Sequence, residues 1–247
     1  RQKPSWLSFQ DNGSYASNFD TSWVTTGIGD GQGMVVKDGY LYVAGRDANA
    51  VYKINLVNQE QTTVATGLAK VVGIDVASDG TIYTNGEGSG VISVISPTGE
   101  VLKTLSGLGG MYAVRLSEDE QYLYFTNGNT IRRITLSTWV GNASMGGDLE
   151  PEVETLGTAE SSSGSLTTLF YGRDGQLYAG SFWGRLYQLD IQEAVMTKIN
   201  QGSLHTTGLG YGMAYAMDPE GAIYSSTWQN SGTHREFKRT DATTGET

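Results

Sequence analysis

The chain has 247 residues, with 26 acidic against 16 basic side chains, a formal charge of -10 and no cysteine. The negative charge disfavours nucleic acid as a partner, and the lack of cysteine excludes a disulfide framework. Hydrophobic residues make up 38% of the chain and it contains 34 glycines, which favours a folded domain with many tight turns over disorder. No apolar run is long enough for a membrane helix, so no membrane insertion is expected. The abundance of small polar residues with few lysines favours an extracellular or periplasmic location.

One short unit recurs five times between residues 24 and 247: a turn, then an aliphatic residue followed by tyrosine in a β-branched run. The signature tyrosines are Tyr42, Tyr83, Tyr124, Tyr178 and Tyr224. They lie 41 to 54 residues apart, the length of one four-stranded sheet per repeat, which is typical of a β-propeller. The pattern predicts an all-β fold, a propeller of four-stranded blades, with five blades favoured and six possible.

In chain order, residues 1–20 lie outside this repeat, and we expect them to form an N-terminal strap or part of a sixth blade. Val24 to Ile28 parallels Val64 to Leu68, the fourth strand and exit of the first unit. We therefore expect Val24 to Ile28 to close the ring, pairing with the last blade and removing an open sheet edge. The clearest unit, residues 73–105, alternates through an Asp-Gly turn and a Pro-Thr-Gly turn and predicts four strands.

The later units depart from this pattern in three places. In the third unit Glu120-Gln121 replaces the Asp-Gly pair, which predicts a longer or differently shaped turn. Residues 137–164 are rich in Gly, Ser and acids and are predicted to be a surface insertion within a single domain, 1–247. The fifth unit ends after a third strand near Phe237, which leaves a place for the closing strand.

The second unit resembles the repeat of NHL-repeat and SMP-30-like propellers. The likeness is carried by Gly73-Ile74-Asp75-Val76, then Ser78-Asp79-Gly80-Thr81-Ile82-Tyr83, then Ser96-Pro97-Thr98-Gly99-Glu100. It covers most of residues 24–247. The resemblance implies a propeller whose relatives include metal-dependent lactonases, strictosidine-synthase-like enzymes, streptogramin lyases and interaction domains.

In SMP-30-like lactonases, the resemblance implies a divalent ion on the ring axis, held by Glu, Asn and Asp just before the opening glycines. The corresponding positions here are Gln32, Val72, Tyr112, Thr167 and Tyr211. None is acidic or histidine, and a hard cation prefers carboxylate oxygens. We therefore expect no bound metal and no cofactor. The absence of acidic ligands also makes a lactonase activity less favoured. Asp75, one strand position inward, is the only acid close to these positions.

The loops after each second strand and those joining successive blades should emerge on one face around the axis. A face with aromatic rings beside a few polar groups suits a small-molecule or glycan pocket. Trp183 could serve either as a ligand contact or as packing between blades. The predicted ligand-binding residues are Gln32, Arg46, Glu87, Tyr112, Asn127, Trp183, Tyr211 and Trp228.

The candidate catalytic residues are His205, His234 and Glu87. The histidines are the candidate general bases, because histidine alone has an ordinary pKa near neutrality and Glu87 or Asp47 could lie beside one of them. A solvated role for both is the alternative. The sequence favours a recognition module that binds a small molecule, glycan or protein on the axial loop face. The alternative is a hydrolase or lyase, of lactonase or lyase type, acting on a cyclic ester or similar small substrate.

Overall fold

The computed structural model describes residues 27–139, 151–172, 174–199, 211–217, 222–228 and 237–241. These residues form antiparallel strands that are grouped into five sheets, as expected for an all-β propeller. Among the described residues, no helix is both long and apolar enough to cross a membrane.

The first two sheets follow the predicted order of four strands each. Sheet 1 consists of β1 (Gly31–Lys37), β2 (Tyr40–Gly45), β3 (Ala50–Asn55) and β4 (Gln61–Ala65). Sheet 2 consists of β5 (Val71–Val76), β6 (Ile82–Gly86), β7 (Ile92–Ile95) and β8 (Val101–Leu105).

The other three sheets repeat the arrangement. Sheet 3 consists of β9 (Val114–Leu116), β10 (Tyr122–Asn127), β11 (Thr130–Thr135) and β12 (Val153–Thr158), with a short helix α1 (Leu136–Trp139) after β11. Sheet 4 consists of β13 (Leu166–Tyr171), β14 (Leu177–Ser181), β15 (Leu186–Asp190) and β16 (Val195–Lys198). Sheet 5 has three described strands, β17 (Tyr211–Met217), β18 (Ala222–Trp228) and β19 (Phe237–Asp241).

The repeat predicted from the tyrosines is confirmed, because each signature tyrosine lies on the second strand of its sheet. The first strands of successive sheets are neighbours: β1 packs beside β5, β5 beside β9, β9 beside β13, and β13 beside β17. This is the blade order of a propeller, with the first strand of each blade innermost.

Sheets 1 to 4 each bury the signature tyrosine against the blade that follows. Tyr42 lies in one apolar cluster with Ile74 and Val76 of β5. Tyr83 shares a cluster with Val114 and Leu116 of β9. The alternation of strand side chains therefore lets a sheet pack one face on the preceding blade and the other on the following blade, as sheets 2 to 4 do.

The turn predicted to differ in sheet 3 is one residue longer. The Ser117 amide donates to the Tyr122 carbonyl (2.9 Å), whereas in sheet 2 the Ala77 amide donates to the carbonyl of Thr81 (2.8 Å). Glu120 has a φ of 56°, in the left-handed region that Gly80 occupies with a φ of 86°. A non-glycine residue therefore adopts the conformation that glycine supplies elsewhere.

The predicted surface insertion, 137–164, needs correction at its C-terminal part. Residues 153–158 form β12 and pair with β11, so they are the outer strand of sheet 3 and not an excursion from it. Leu156 is 1% exposed, which explains why this stretch stays in the sheet despite its acidic neighbours. Residues 140–150 lie outside the described residues.

The predicted ring closure falls mostly outside the described residues. Of the expected closing strand, Gly27 and Ile28 are described and are not in a strand, and residues 24–26 are not among those described. The predicted strap, residues 1–20, also lies outside them.

Candidate functional site

The second-to-third-strand loops and the connections between blades lie together on one face, here called the loop face. In sheets 1 to 4, where the loop is described, it is tied by its backbone to the connection that enters its own blade. The four ties run from Arg46 N to Asp30 O (3.1 Å), Glu87 N to Lys70 O (2.9 Å), Gly128 N to Gly110 O (2.9 Å) and Phe182 N to Ser165 O (2.8 Å). Three loops are also tied to the outgoing connection, through Leu68 N to Asn49 O (2.9 Å), Leu108 N to Gly90 O (3.1 Å) and Ala159 N to Asn129 O (2.8 Å). Main-chain hydrogen bonds therefore hold the loop face, and two asparagine side chains add to them: Asn49 Oδ1 accepts from the Lys70 amide (2.9 Å) and Asn129 Nδ2 donates to the Ala159 carbonyl (2.7 Å).

Arg46 is the centre of a polar cluster that spans sheets 1 and 2 on this face. Its Nε donates to the carboxylate of Glu87 in the next blade. Its Nη1 lies 3.0 Å from Asp47 Oδ1 and 3.6 Å from Asp30 Oδ2. Gln32 Nε2 donates to Asp30 Oδ1 at 2.9 Å. We call Asp30, Gln32, Arg46, Asp47 and Glu87 the Arg46 cluster.

Tyr112, from the connection into sheet 3, extends this site electrostatically. Burial raises the pKa of the Tyr112 phenol, the negative charge of Glu87 raises it further, and Arg46 opposes the shift. The phenol therefore stays protonated at neutral pH and can donate a hydrogen bond. The hydrogen bond to Glu87 is the main cause that raises the pKa of Arg46, so its guanidinium stays charged.

The Arg46 cluster carries more negative than positive charge, because three carboxylates surround one guanidinium. Its side chains are partly open to solvent: Arg46 is 30% exposed, Glu87 27% and Asp47 65%. A ligand that approaches the loop face would meet acceptor oxygens that the protein has not fully neutralised.

The structure brings together Gln32, Arg46, Glu87 and Tyr112 of the predicted site residues and places Asn127 and Trp183 on other blades of the same face. Asn127 ends β10, beside the connection at Gly109. Trp183 is 48% exposed and makes an edge-on contact with Phe182, with ring centroids 5.6 Å apart. Trp183 is therefore half-exposed on the loop face, and its contact with a ligand stays a prediction.

Of four other predicted site residues, the structure describes either the backbone alone or nothing. Tyr211 and Trp228 are described as backbone only, and their Cα atoms are partners at one end of sheet 5. His205 and His234 lie outside the described residues.

Three of the five predicted axial positions coincide with a bulge in the first strand of a blade. Val72 and Thr167 fall within the register shifts of β5 and β13, and Gln32 within that of β1. In sheet 5 the shift lies between Gly212 and Ala214, so Met213 takes this position and not Tyr211. The position was misplaced by two residues because a small residue other than glycine follows the bulge there.

Asp75, the acid nearest the axial positions, already has a structural role. Its Oδ2 accepts from the Leu116 amide of β9 at 2.8 Å, and its Oδ1 accepts from its neighbour Val76 at 2.9 Å. Arg115 Nε lies 3.7 Å away. Among the described residues, no group of three Asp, Glu, His or Cys side chains is placed to hold a metal ion.

Asp30 is the functional candidate that sequence reasoning missed. It lies in the glycine-rich connection before β1 and has a φ of 44°, a conformation that glycine usually supplies. The feature of the sequence that could have identified Asp30 is an aspartate among glycines just before an innermost strand.

No family model matches this sequence, and no curated protein matches it. Solved structures do match in fold. A catalytically inactive histidine-to-alanine variant of virginiamycin B lyase from Staphylococcus aureus, with quinupristin, has a TM-score of 0.62 at 17% identity, covering 88% of this chain and 72% of that one. A chain of a nidogen/laminin complex has a TM-score of 0.67 at 15% identity, covering 90% and 79%. A chain of Kuenenia stuttgartiensis hydrazine synthase has a TM-score of 0.61 at 16% identity, covering 92% and 65%.

These similarities establish the β-propeller fold and no particular activity. The three proteins are a lyase, part of a protein complex and a synthase. One frame therefore supports unrelated functions, and the function of this chain has to be argued from its own site.

Proposed function

We propose that this protein is a recognition propeller of the NHL-repeat and SMP-30-like type, which binds a small molecule, glycan or protein segment on its loop face. The observation that carries this proposal is the Arg46 cluster, a half-open polar site that joins two blades. Rigid loops on a repeating scaffold are where propellers and similar folds accommodate ligands. The polar composition noted above fits an extracellular or periplasmic setting for such a module.

The site chemistry favours a ligand that donates hydrogen bonds. Carboxylates of Asp30, Asp47 and Glu87 outnumber the single guanidinium, so hydroxyl or amine groups are better partners than further anions. Tyr112 supplies a neutral donor nearby. An exposed Trp183 on the same face offers a ring on which a sugar or aliphatic group could stack.

A binding screen against neutral oligosaccharides and amine-bearing small molecules tests this function. For a ligand found in the screen, Glu87→Gln should weaken binding by about 10-fold or more, the effect of losing a charged hydrogen-bond partner. Glu154→Gln is the matched control, because Glu154 makes its ion pair with Arg133 on sheet 3 away from the Arg46 cluster. Equal affinity of the wild type and the Glu87→Gln variant would remove the Arg46 cluster from the site.

A lyase or lactonase is the second candidate, favoured by the recurrence of streptogramin B and virginiamycin B lyases among the structural neighbours. Incubation with quinupristin and with simple lactones, with and without a chelator, tests it. An enzyme should show turnover that His205→Ala or His234→Ala abolishes, whereas a recognition module should leave these compounds intact. Dependence of any turnover on a divalent ion would support the lactonase form.

A further inference from the structure

A second polar group lies on the loop face between sheets 3 and 4, and its charge is opposite to that of the Arg46 cluster. Glu160 Oε1 lies 3.2 Å from Lys198 Nζ and 3.8 Å from Arg185 Nη1. Glu160 Oε2 accepts a hydrogen bond from the Ser162 hydroxyl at 3.1 Å. Two cations therefore share one carboxylate here. We call Glu160, Ser162, Arg185 and Lys198 the Glu160 cluster.

The Glu160 cluster keeps a positive charge that the protein does not cancel. The hydrogen bond from Lys198 is the main cause that holds the pKa of Glu160 below its ordinary value, and the charge of Arg185 lowers it further. Glu160 is therefore ionised at neutral pH and neutralises only one of the two cations. The side chains of Arg185 and Lys198 are 24% and 31% exposed, so an anion can reach them from solvent.

The half-exposed Trp183 borders this cluster, because its ring and the guanidinium of Arg185 contact the same turn. A Cβ atom at Gly164 would lie 2.6 Å from Trp183 Cδ1, so the indole rests against the backbone of Gly164. The Arg185 guanidinium donates to the hydroxyl of Ser162, two residues earlier. Because consecutive Cα atoms are about 3.8 Å apart, positions 162 and 164 are separated by at most about 7.6 Å. One sugar residue could therefore contact both side chains.

Main-chain contacts fix Trp183 and Arg185 relative to each other. In the turn between β14 and β15, the Gly184 amide donates to the Ser181 carbonyl and the Arg185 amide to the Ser181 hydroxyl oxygen, both at 3.0 Å. The Trp183 amide donates to the Ser163 carbonyl at 3.3 Å, which joins this turn to the connection between sheets 3 and 4. Such a preformed arrangement lowers the entropy cost of binding a ligand.

We propose that Trp183 and the Glu160 cluster form a subsite for a uronic acid residue, a sugar that carries a carboxylate. This inference rests on the proposed binding function of the loop face and names the ligand chemistry for one part of it. An indole suits the apolar face of a sugar, and the planar fork of Arg185 suits a carboxylate. A single uncancelled positive charge matches one carboxylate, while the net charge of -10 disfavours densely sulfated or phosphorylated chains.

Calorimetric titration of the full chain tests the subsite. The probes are hexamers of galacturonic acid and of mannuronic acid, and the controls are the same hexamers with their carboxyl groups reduced to alcohols. At least one uronate hexamer should bind about 10-fold or more tightly than its reduced form, and added salt should diminish the difference. Binding of neither uronate hexamer, or equal binding of charged and reduced forms, would overturn the proposal.

Two substitutions assign the binding to the Glu160 cluster. Arg185→Gln should weaken uronate binding by about 10-fold or more, whereas Arg133→Gln, the matched control from the ion pair with Glu154, should leave it unchanged. Glu160→Gln should tighten binding by about 3-fold or more, because the ligand carboxylate no longer competes for the two cations. A variant that fails to fold cannot bind more tightly, so this gain separates a binding role from a structural one. Unchanged affinity in the Arg185 and Glu160 variants would overturn the proposal.

The remaining outcomes separate the subsite from the proposed function of the loop face. Uronate binding that Glu87→Gln weakens and Arg185→Gln leaves unchanged would overturn the subsite and keep the function at the Arg46 cluster. Trp183→Ala should weaken uronate binding by about 10-fold, and an unchanged affinity would remove the indole from the subsite. Binding of a glutamate hexamer without binding of either uronate would overturn the sugar in favour of an acidic peptide.

Discussion

Gly33 allows the innermost strands of the first two blades, β1 and β5, to lie close together. A Cβ atom at this position would lie 2.4 Å from the Val72 carbonyl oxygen and 3.2 Å from the Ile74 amide nitrogen, both backbone atoms of β5. Backbone cannot rotate away as a side chain can, so the strands would have to separate.

Gly33→Ala should therefore lower the free energy of unfolding by about 1–3 kcal/mol, measured by urea denaturation. Gly110→Ala is the matched control, because a Cβ at Gly110 meets nothing within 4 Å. Equal stability of the two variants would show that β1 and β5 are not as close as described.

Asp75 is a second residue whose role is interblade support. Asp75→Ala leaves the Leu116 amide of the next blade without its acceptor, and a buried unpaired amide costs about 1–3 kcal/mol. Asp75→Asn keeps a side-chain oxygen and should lose less. Urea denaturation of both variants checks this, and an unchanged midpoint in the alanine variant would contradict it.

At the residue scale, the candidate site was only partly predictable from the sequence. Arg46 and Glu87 could be placed on one face because each follows a signature tyrosine by four residues. Their direct ion pair depends on the rotation between two blades, which no local pattern encodes. Asp30 was missed because its neighbours read as a glycine-rich connection.

At the element scale, strand order and hairpin positions were predictable because each hairpin carries local turn chemistry. The Asp-Gly pair at residues 38 and 39 has a φ of 49° and 80°, as a two-residue hairpin requires. β12 could not be predicted from the sequence, because the residues before it do not follow the spacing of the repeat. Its pairing with β11 also joins residues that are far apart in the chain. Composition alone could not distinguish an acidic outer strand from an insertion.

The segment before β1 gives the prediction at this scale. Removing residues 1–28 should broaden the unfolding transition or cause association, because it takes away Ile28 from the cluster with Val43 and Tyr52. Removing residues 242–247 serves as the control deletion. Differential scanning calorimetry with light scattering measures both effects, and a truncated chain that melts as sharply and as late as the intact chain would contradict the expectation.

At the scale of the whole molecule, buried tyrosines make the propeller sensitive to alkali. Burial is the main cause that raises the pKa of Tyr83 to about 12 and of Tyr178 to about 12. In the unfolded chain these phenols ionise near their ordinary value of about 10. Unfolding therefore releases protons between these values, and the stability that the neutral phenols contribute is present below about pH 10 and is lost as the pH rises through 12.

The urea midpoint should accordingly fall between about pH 10 and pH 11.5, and tyrosinate absorbance should rise further when the protein unfolds. Tyr83→Phe removes one of these ionisations and should flatten the decline. A midpoint that is constant over this range would show that the tyrosines are accessible in the folded protein.

The main-chain hydrogen bonds that hold the loop face make its side chains suitable for replacement by engineering. Every one of the seven ties described above joins a main-chain amide to a main-chain carbonyl, so nearly any side chain can be exchanged without cutting one. Residues 47, 48 and 89 could thus be randomised as a display library on a fixed backbone, while Gly88 is kept because its φ of 67° disfavours other side chains. New specificities selected from such a library should retain the parent melting temperature, which makes the loop face a candidate scaffold for engineered binders.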